Sequence, residues 1–204
     1  MTKPTPAHPN KRKPFFTFIR RILRAIKPKC RLTDLTQGQG TPGIFLSNHS
    51  AATGPLMVEL NLPYAHHPWG AYQMNGSIRE RFRYLYHIFF RQKKKMKKVP
   101  AFLLSCLSSC LSKGIYKGMG LISSYPDLRL LRTLEASIKC LDKNESIVIY
   151  PEDSSDGYKE QIERFHGGFC LLSSLYYARR GVDLPVYSMY YSERHHRMVI
   201  SRPS

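Results

Sequence analysis

The period of the apolar positions changes several times along this chain. After Pro14, the residues Phe15, Phe18, Ile19, Ile22, Leu23 and Ile26 follow at steps that place them on one helical face. Arg20, Arg21, Arg24 and Lys27 fill the other faces, and Pro28 ends the run. This spacing predicts an amphipathic helix over 14–28, opened by a proline whose missing N–H costs nothing in a first turn. Residues 1–13, rich in proline and basic side chains, predict a disordered lead-in. Short apolar runs at 43–47 and 146–150 predict buried strands, with further strands near 69–74 and at 119–123, 185–191 and 197–200. Helical periodicity covers 53–60, 79–98, 100–113 (ending at Gly114), 129–141 and 160–180, the last interrupted by Gly167 and Gly168. Strands alternating with helices predict an α/β domain over 40–204, a mostly parallel central sheet flanked by helices.

Composition fits one globular domain: 204 residues, 42% apolar and 23% charged. The net charge of +18 is concentrated in two places. Residues 1–31 carry ten basic and no acidic side chains, and residues 79–98 carry nine basic and one acidic, Glu80. The rest of the chain is neutral. Two basic patches on a neutral globule attract polyanions: a phospholipid surface, an acidic carrier protein or nucleic acid. The 14–28 helix adds aromatic and aliphatic residues to its charge, the composition of an interfacial anchor. Phe15, Phe18, Ile19, Arg20, Ile22 and Arg24 are its expected membrane-binding residues. The alternative is a helix packed on its own domain. In 79–98, aromatic residues interleave with arginine before a lysine run, and Lys93–Lys98 is expected to dock an acidic donor or the headgroup layer. No apolar run reaches the roughly 18 residues of a spanning helix, and Val99–Leu111 is broken by serines. Five cysteines, an odd number without a C-x-x-C pair, point to a reducing compartment. Together these features predict a peripheral protein on the cytoplasmic face of a membrane.

Reactive side chains cluster at predicted strand ends. Asn48, His49 and Ser50 follow the first buried strand, where the positive end of the next helix would keep a histidine neutral and basic. Tyr150, Pro151, Glu152, Asp153, Ser154 and Ser155 follow the most apolar strand, and open α/β sheets place their sites at such carboxyl ends.

The order N-H-S-A-A-T-G-P, then G-L-I-S-S-Y-P, I-V-I-Y-P-E-D-S-S, R-F-H-G-G and L-P-V resembles the glycerolipid acyltransferase family, which includes the 1-acylglycerol-3-phosphate acyltransferases. The resemblance covers roughly 41–200. It implies that His49 takes the proton from an acceptor hydroxyl that attacks the thioester of acyl-CoA or an acyl carrier protein. It also implies that Glu152 shapes the catalytic pocket and that Gly120, Ser123 and Ser124 lie on the acceptor-contacting strand. The implied partners are that donor, a lipid acceptor and an anionic membrane surface, with no cofactor and no metal. Asn48, Ser50, Tyr150, Pro151, Asp153, Ser154 and Ser155 complete the expected substrate-binding set. Three positions depart from the pattern. The family's aspartate falls at Gly54; its motif glycine and arginine fall at Asp153 and Ser155; a second arginine falls near Ser124 or Tyr125. Guanidinium suits phosphate, so these departures favour a neutral or amine-bearing acceptor, or a non-catalytic lipid-binding relative. A nucleic-acid binder is disfavoured because no RRM or KH signature occurs. A calcium loop at Asp153–Gly157, metal binding at His66-His67 or His195-His196, and a serine hydrolase at Ser47 or Ser50 have weaker support. Adjacent strand histidines point to opposite faces.

Overall fold

The computed structural model describes residues 12–36, 42–50, 53–152 and 165–204. Its strands are β1 (Arg31–Asp34), β2 (Ile44–Ser47), β3 (His66–Ala71), β4 (Ile122–Ser124), β5 (Ser146–Ile149), β6 (Val186–Ser192) and β7 (Arg197–Pro203). They form one sheet in the order β1-β7-β6-β2-β5-β3-β4. Every neighbouring pair is parallel except the β6–β7 hairpin. The expected mostly parallel sheet flanked by helices is therefore the architecture of the protein. Its helices are α1 (Pro14–Ile26), α2 (Thr53–Asn61), α3 (Ile78–Arg83), α4 (Lys98–Gly118), α5 (Leu130–Leu141) and α6 (Gly168–Arg180).

The central strands are apolar on both faces because both faces are covered. Phe45 and Val148 point to one side, where they meet Met57, Val58 and Leu60 of α2, with Leu23 of α1 packed against the same cluster. Ile44, Ile147 and Ile149 point to the other, against Leu134, Ile138 and Leu141 of α5 and Leu172 of α6. Besides shifted ends at α4, β4 and β7, three elements differ from the sequence expectations. Strand β1 precedes residue 40 and still belongs to the sheet, paired with β7 from Arg31 opposite Arg197 to Asp34 opposite Ile200. The 69–74 strand is β3, which starts earlier and gives way to a 3-10 turn over Tyr72–Asn75. The single helix expected over 79–98 is broken in two. A capping box starts α3, with the Ser77 hydroxyl accepting from the Glu80 N–H while the Glu80 carboxylate accepts from the Ser77 N–H. The chain then widens into a ten-residue π-helical stretch, Tyr84–Lys93, before α4 begins.

Helix α1 forms as its spacing predicts, and it docks on the domain. Arg12, inside the lead-in expected to be disordered, pairs with the buried Glu59 carboxylate at 3.0 Å and donates to the carbonyls of His66 (3.1 Å) and Met119. Arg20 and Arg24, expected at the headgroup layer, turn toward the domain and donate to the Leu60 carbonyl. Phe16 is buried. Gly114 and Gly118, one turn apart on α4, let the two helices approach: a Cβ at 114 would stand 2.7 Å from the Phe15 ring, and one at 118 would stand 2.9 Å from Phe16 Cγ. Gly118→Val should therefore force α1 off its seat. Overpacking of this kind costs about 1–3 kcal/mol. A chain of this length loses roughly 2–4 °C of melting temperature per kcal/mol. Differential scanning fluorimetry would show the loss, and limited proteolysis would show earlier cleavage between α1 and β1. An unchanged melting temperature and digest would refute the packing argument.

Helix α4 runs past Gly114 to Gly118, longer than the apolar run alone suggested. Among the described residues it is the one helix long and apolar enough to cross a membrane.

Candidate active site

The direction of the chain changes between β2 and β5. Strand β2 leads into α2 on one face of the sheet, whereas α6, the next described helix after β5, packs on the opposite face. The two strands are parallel neighbours, with Leu46 opposite Ile149. Their carboxyl ends therefore open onto a topological switch point, the crevice where open α/β sheets bind ligands.

His49 and Glu152 meet in this crevice. The His49 main-chain N–H donates to Glu152 Oε1 at 2.9 Å, joining residues 103 apart in sequence. The His49 ring lies against the Tyr150 ring, with centroids 5.0 Å apart and planes tilted by 43°. Burial pushes the Glu152 carboxyl above its ordinary pKa, and the His49 N–H opposes that shift. Burial also pushes the Tyr150 phenol well above its ordinary value, and the charge of Glu59 adds to it. Tyr150 thus stays a neutral phenol beside the imidazole. Pro151 is buried, and its carbonyl accepts from the His166 N–H at 2.8 Å. An isolated bridge between Glu152 and Phe165 holds the two sides of this connection together.

The loop after β2 is held by the Asn48 side chain and by its own backbone. Asn48 bonds the main chain of Tyr191 in both directions: its side-chain NH₂ donates to the carbonyl at 2.9 Å, and its oxygen accepts from the N–H at 2.8 Å. This locks the ends of β2 and β6 together, so Asn48, expected to bind substrate, acts as a clamp. Ser50 adopts a left-handed φ of 38°, uncommon outside glycine, which reverses the chain toward α2. The Gly54 N–H donates to the His49 carbonyl at 3.1 Å. A Cβ at 54 would stand 2.7 Å from the His49 carbonyl carbon and 3.0 Å from the Asn48 oxygen. With α2 in its present position, no side chain fits at 54. Where the resemblance to the acyltransferases would place an aspartate, the backbone is closed over the position.

The expected acceptor strand lies apart. Ser123 and Ser124 end β4, three strands from β2, roughly 14 Å at ordinary strand spacing. Ser123 is tied to Asn75 and, through its carbonyl, to Thr133. Gly120 precedes β4 at the opposite edge of the sheet, with φ 66°, and its carbonyl bonds His67 Nδ1 at 2.8 Å. Asp153, Ser154 and Ser155 lie outside the described residues, as does the segment suggested as a calcium loop. The paired histidines point apart as expected. His66 bonds Glu59 at 3.1 Å and the Tyr64 carbonyl at 2.7 Å. His67 bonds Glu145 at 2.9 Å, with Cys140 close by. Burial, and next the Glu145 charge, push the Cys140 thiol up to about 11, so it is protonated at neutral pH.

Sequence reading missed two polar groups along this carboxyl edge. Thr53 Oγ1 donates to Glu193 at 3.0 Å across the rim of the crevice. Arg129 is stacked between the rings of Tyr72 (4.9 Å) and Tyr125 (4.7 Å), close to Ser124 and Tyr125, where the resemblance would place an arginine. Its guanidinium is matched by Asp127, whose carboxyl it holds down at about 2. Arg129 is thus a compensated cation rather than an open phosphate fork. Thr53 has its partner 140 residues away, whereas Arg129 pairs with Asp127 two residues before it and is missed because its second ring, Tyr72, comes from a distant turn. In comparisons with known proteins, the chain matches no protein-family model, and no curated protein matches it.

Proposed function

We propose that this chain transfers a fatty acyl group from a thioester, acyl-CoA or an acyl carrier protein, to a hydroxyl or amine of a lipid acceptor at a membrane surface. The observation that carries the reading is the meeting of His49 and Glu152, far apart in sequence, at the switch point of a parallel sheet. In this mechanism His49 accepts the proton of the acceptor O–H or N–H. The freed lone pair attacks the thioester carbonyl carbon, the tetrahedral adduct collapses, the C–S bond breaks, and the imidazolium returns its proton to the leaving thiolate. Glu152 holds the His49 backbone so that the ring stays beside Tyr150, a positioning role. With Arg129 compensated by Asp127, the site favours a neutral or amine-bearing acceptor over a phosphate monoester.

The closed backbone at Gly54 favours a second reading, a non-catalytic lipid-binding relative, because an orienting carboxylate has no room there. Mass spectrometry of lipids from cells lacking the gene, complemented with wild type or His49→Ala, separates the two. Acyl transfer predicts one acylated lipid class that disappears and returns only with wild type. Lipid profiles that never differ would reject the enzyme.

A further inference from the structure

Helix α4 is built inside out. Its positions facing the protein are small or polar: Ala101 and Ser105 are 0% exposed, and Ser109, Ser112 and Gly118 are buried with them. This face even receives a buried charge, since the Arg81 guanidinium donates to the Ser109 carbonyl at 3.1 and 3.2 Å. The opposite face carries the large apolar side chains. Val99 is 71% exposed, Leu103 63% and Leu107 62%, and Phe102 and Leu111 lie in the open beside them. A soluble helix places these two sets the other way round. On α1, Phe15 rests on Gly114 and is itself half exposed, and Phe18 and Ile22 are also exposed. The two helices therefore share an apolar face.

The charge on the segments that form this face has one sign, and the exposed acid on the neighbouring α3, Glu80, is engaged in its capping box. From Arg81 to Pro126 the chain contains no acidic residue, and none occurs before Asp34. Lys94, Lys95, Lys97 and Lys98 lead into α4, and Lys113 and Lys117 flank its second half, all exposed. Apolar side chains in the centre with lysines at the margin match an anionic bilayer, whose acyl boundary accepts the first and whose phosphates attract the second. Although α4 is long enough to cross such a bilayer, its buried positions run along its whole length, and it ends at β4, which pairs with β3 in the sheet. It lies along the surface.

We infer that the outward face of α4, continued by that of α1, inserts into the headgroup–acyl boundary of an anionic lipid bilayer and is the main membrane attachment of this protein. The inference rests on the membrane half of the proposed function and not on the chemistry at His49. It moves the principal anchor from the N-terminal helix to the crossover between β3 and β4.

The exposed thiols of Cys106 and Cys110 lie on α4, whereas the exposed thiol of Cys170 lies on α6, against the other face of the sheet. The full chain is incubated with vesicles of phosphatidylcholine alone, or of phosphatidylcholine mixed with phosphatidylglycerol. Labelling by a water-soluble maleimide is then followed by peptide mass spectrometry. The anionic vesicles should slow labelling of Cys106 and Cys110 while leaving Cys170 unchanged. Leu103→Glu with Leu107→Glu should lower vesicle flotation at least roughly tenfold, because burial of even one leucine is worth about that factor. Circular dichroism of this variant should be unchanged, since both side chains are exposed. His49→Ala should float as the wild type does, so a failed anchor and a failed enzyme give different results. Several outcomes would overturn the inference: thiols labelled equally fast with and without vesicles, protection extending to Cys170, or flotation that survives the double substitution. So would protection of Cys106 and Cys110 produced without lipid, by a dimer seen in size-exclusion chromatography or by added RNA.

Discussion

Replacing His49 with alanine should abolish acyl transfer while leaving the fold in place. The side chain is half-buried in a loop outside both core clusters, and the bond to Glu152 comes from the main chain, which alanine keeps. Loss of a general base costs about 10²–10⁴-fold in kcat, with a far smaller change in melting temperature. Glu152 separates positioning from proton transfer. Glu152→Gln retains an acceptor for the His49 N–H and should keep a large part of the activity; Glu152→Ala releases the loop and should lose most of it. The pH response has a definite sign. Because burial raises the Glu152 carboxyl above its unfolded value, its contribution to stability is complete below the unfolded pKa. That contribution is lost as pH rises through the folded pKa. Wild type should therefore lose stability relative to Glu152→Gln across the weakly acidic range as pH increases. Transfer that continues undiminished in His49→Ala would remove the mechanistic reading.

Gly54→Asp should damage the protein rather than improve it. From the family pattern alone, restoring the aspartate would support His49 and raise kcat, whereas a backbone constraint at Gly54 would make the change neutral or harmful. The structure favours harm. A Cβ at 54 would press on the carbonyl group of His49 and on the Asn48 oxygen, all backbone atoms. Asn48 is clamped to Tyr191 on the far side, so the loop has little room to retreat. Overpacking against backbone costs about 1–3 kcal/mol, and any relief displaces His49, the proposed general base. The expected results are a lower melting temperature and a lower kcat, with Gly54→Ala showing the same loss in milder form. A Gly54→Asp enzyme faster than wild type would mean that α2 can shift to admit the carboxylate. A protein inactive as wild type and as Gly54→Asp, yet still bound to lipid, would favour the non-catalytic reading.

Local sequence determined those elements whose cause is local. The short apolar runs at 43–47 and 146–150 read as buried strands, and strands stand at 44–47 and 146–149. The periodicity of α1 and α5 and the alternation of strand with helix were likewise sufficient for the α/β architecture. The positions of His49 and Glu152 at strand carboxyl ends were legible because parallel order brings such ends to one edge. Only the tertiary structure decided the rest. Strand β1 is short and largely polar, and it is a strand because β7 offers it a parallel edge. Spacing showed which residues of α4 share a face; it did not show that the serine face turns inward, because that depends on where Arg81, Phe15 and Phe16 lie. Gly54 was readable as a missing carboxylate, and the closed backbone above it appears only in three dimensions. Gly120 was assigned to the acceptor by its place in a motif, whereas its left-handed turn beside His67 puts it at the other end of the sheet. For β1, α4 and Gly120 the deciding contact joins residues distant in sequence, of which local period and propensity carry no record; at Gly54 the contact is local, and the chain reversal at Ser50 that makes it is a backbone conformation that the apolar pattern does not record.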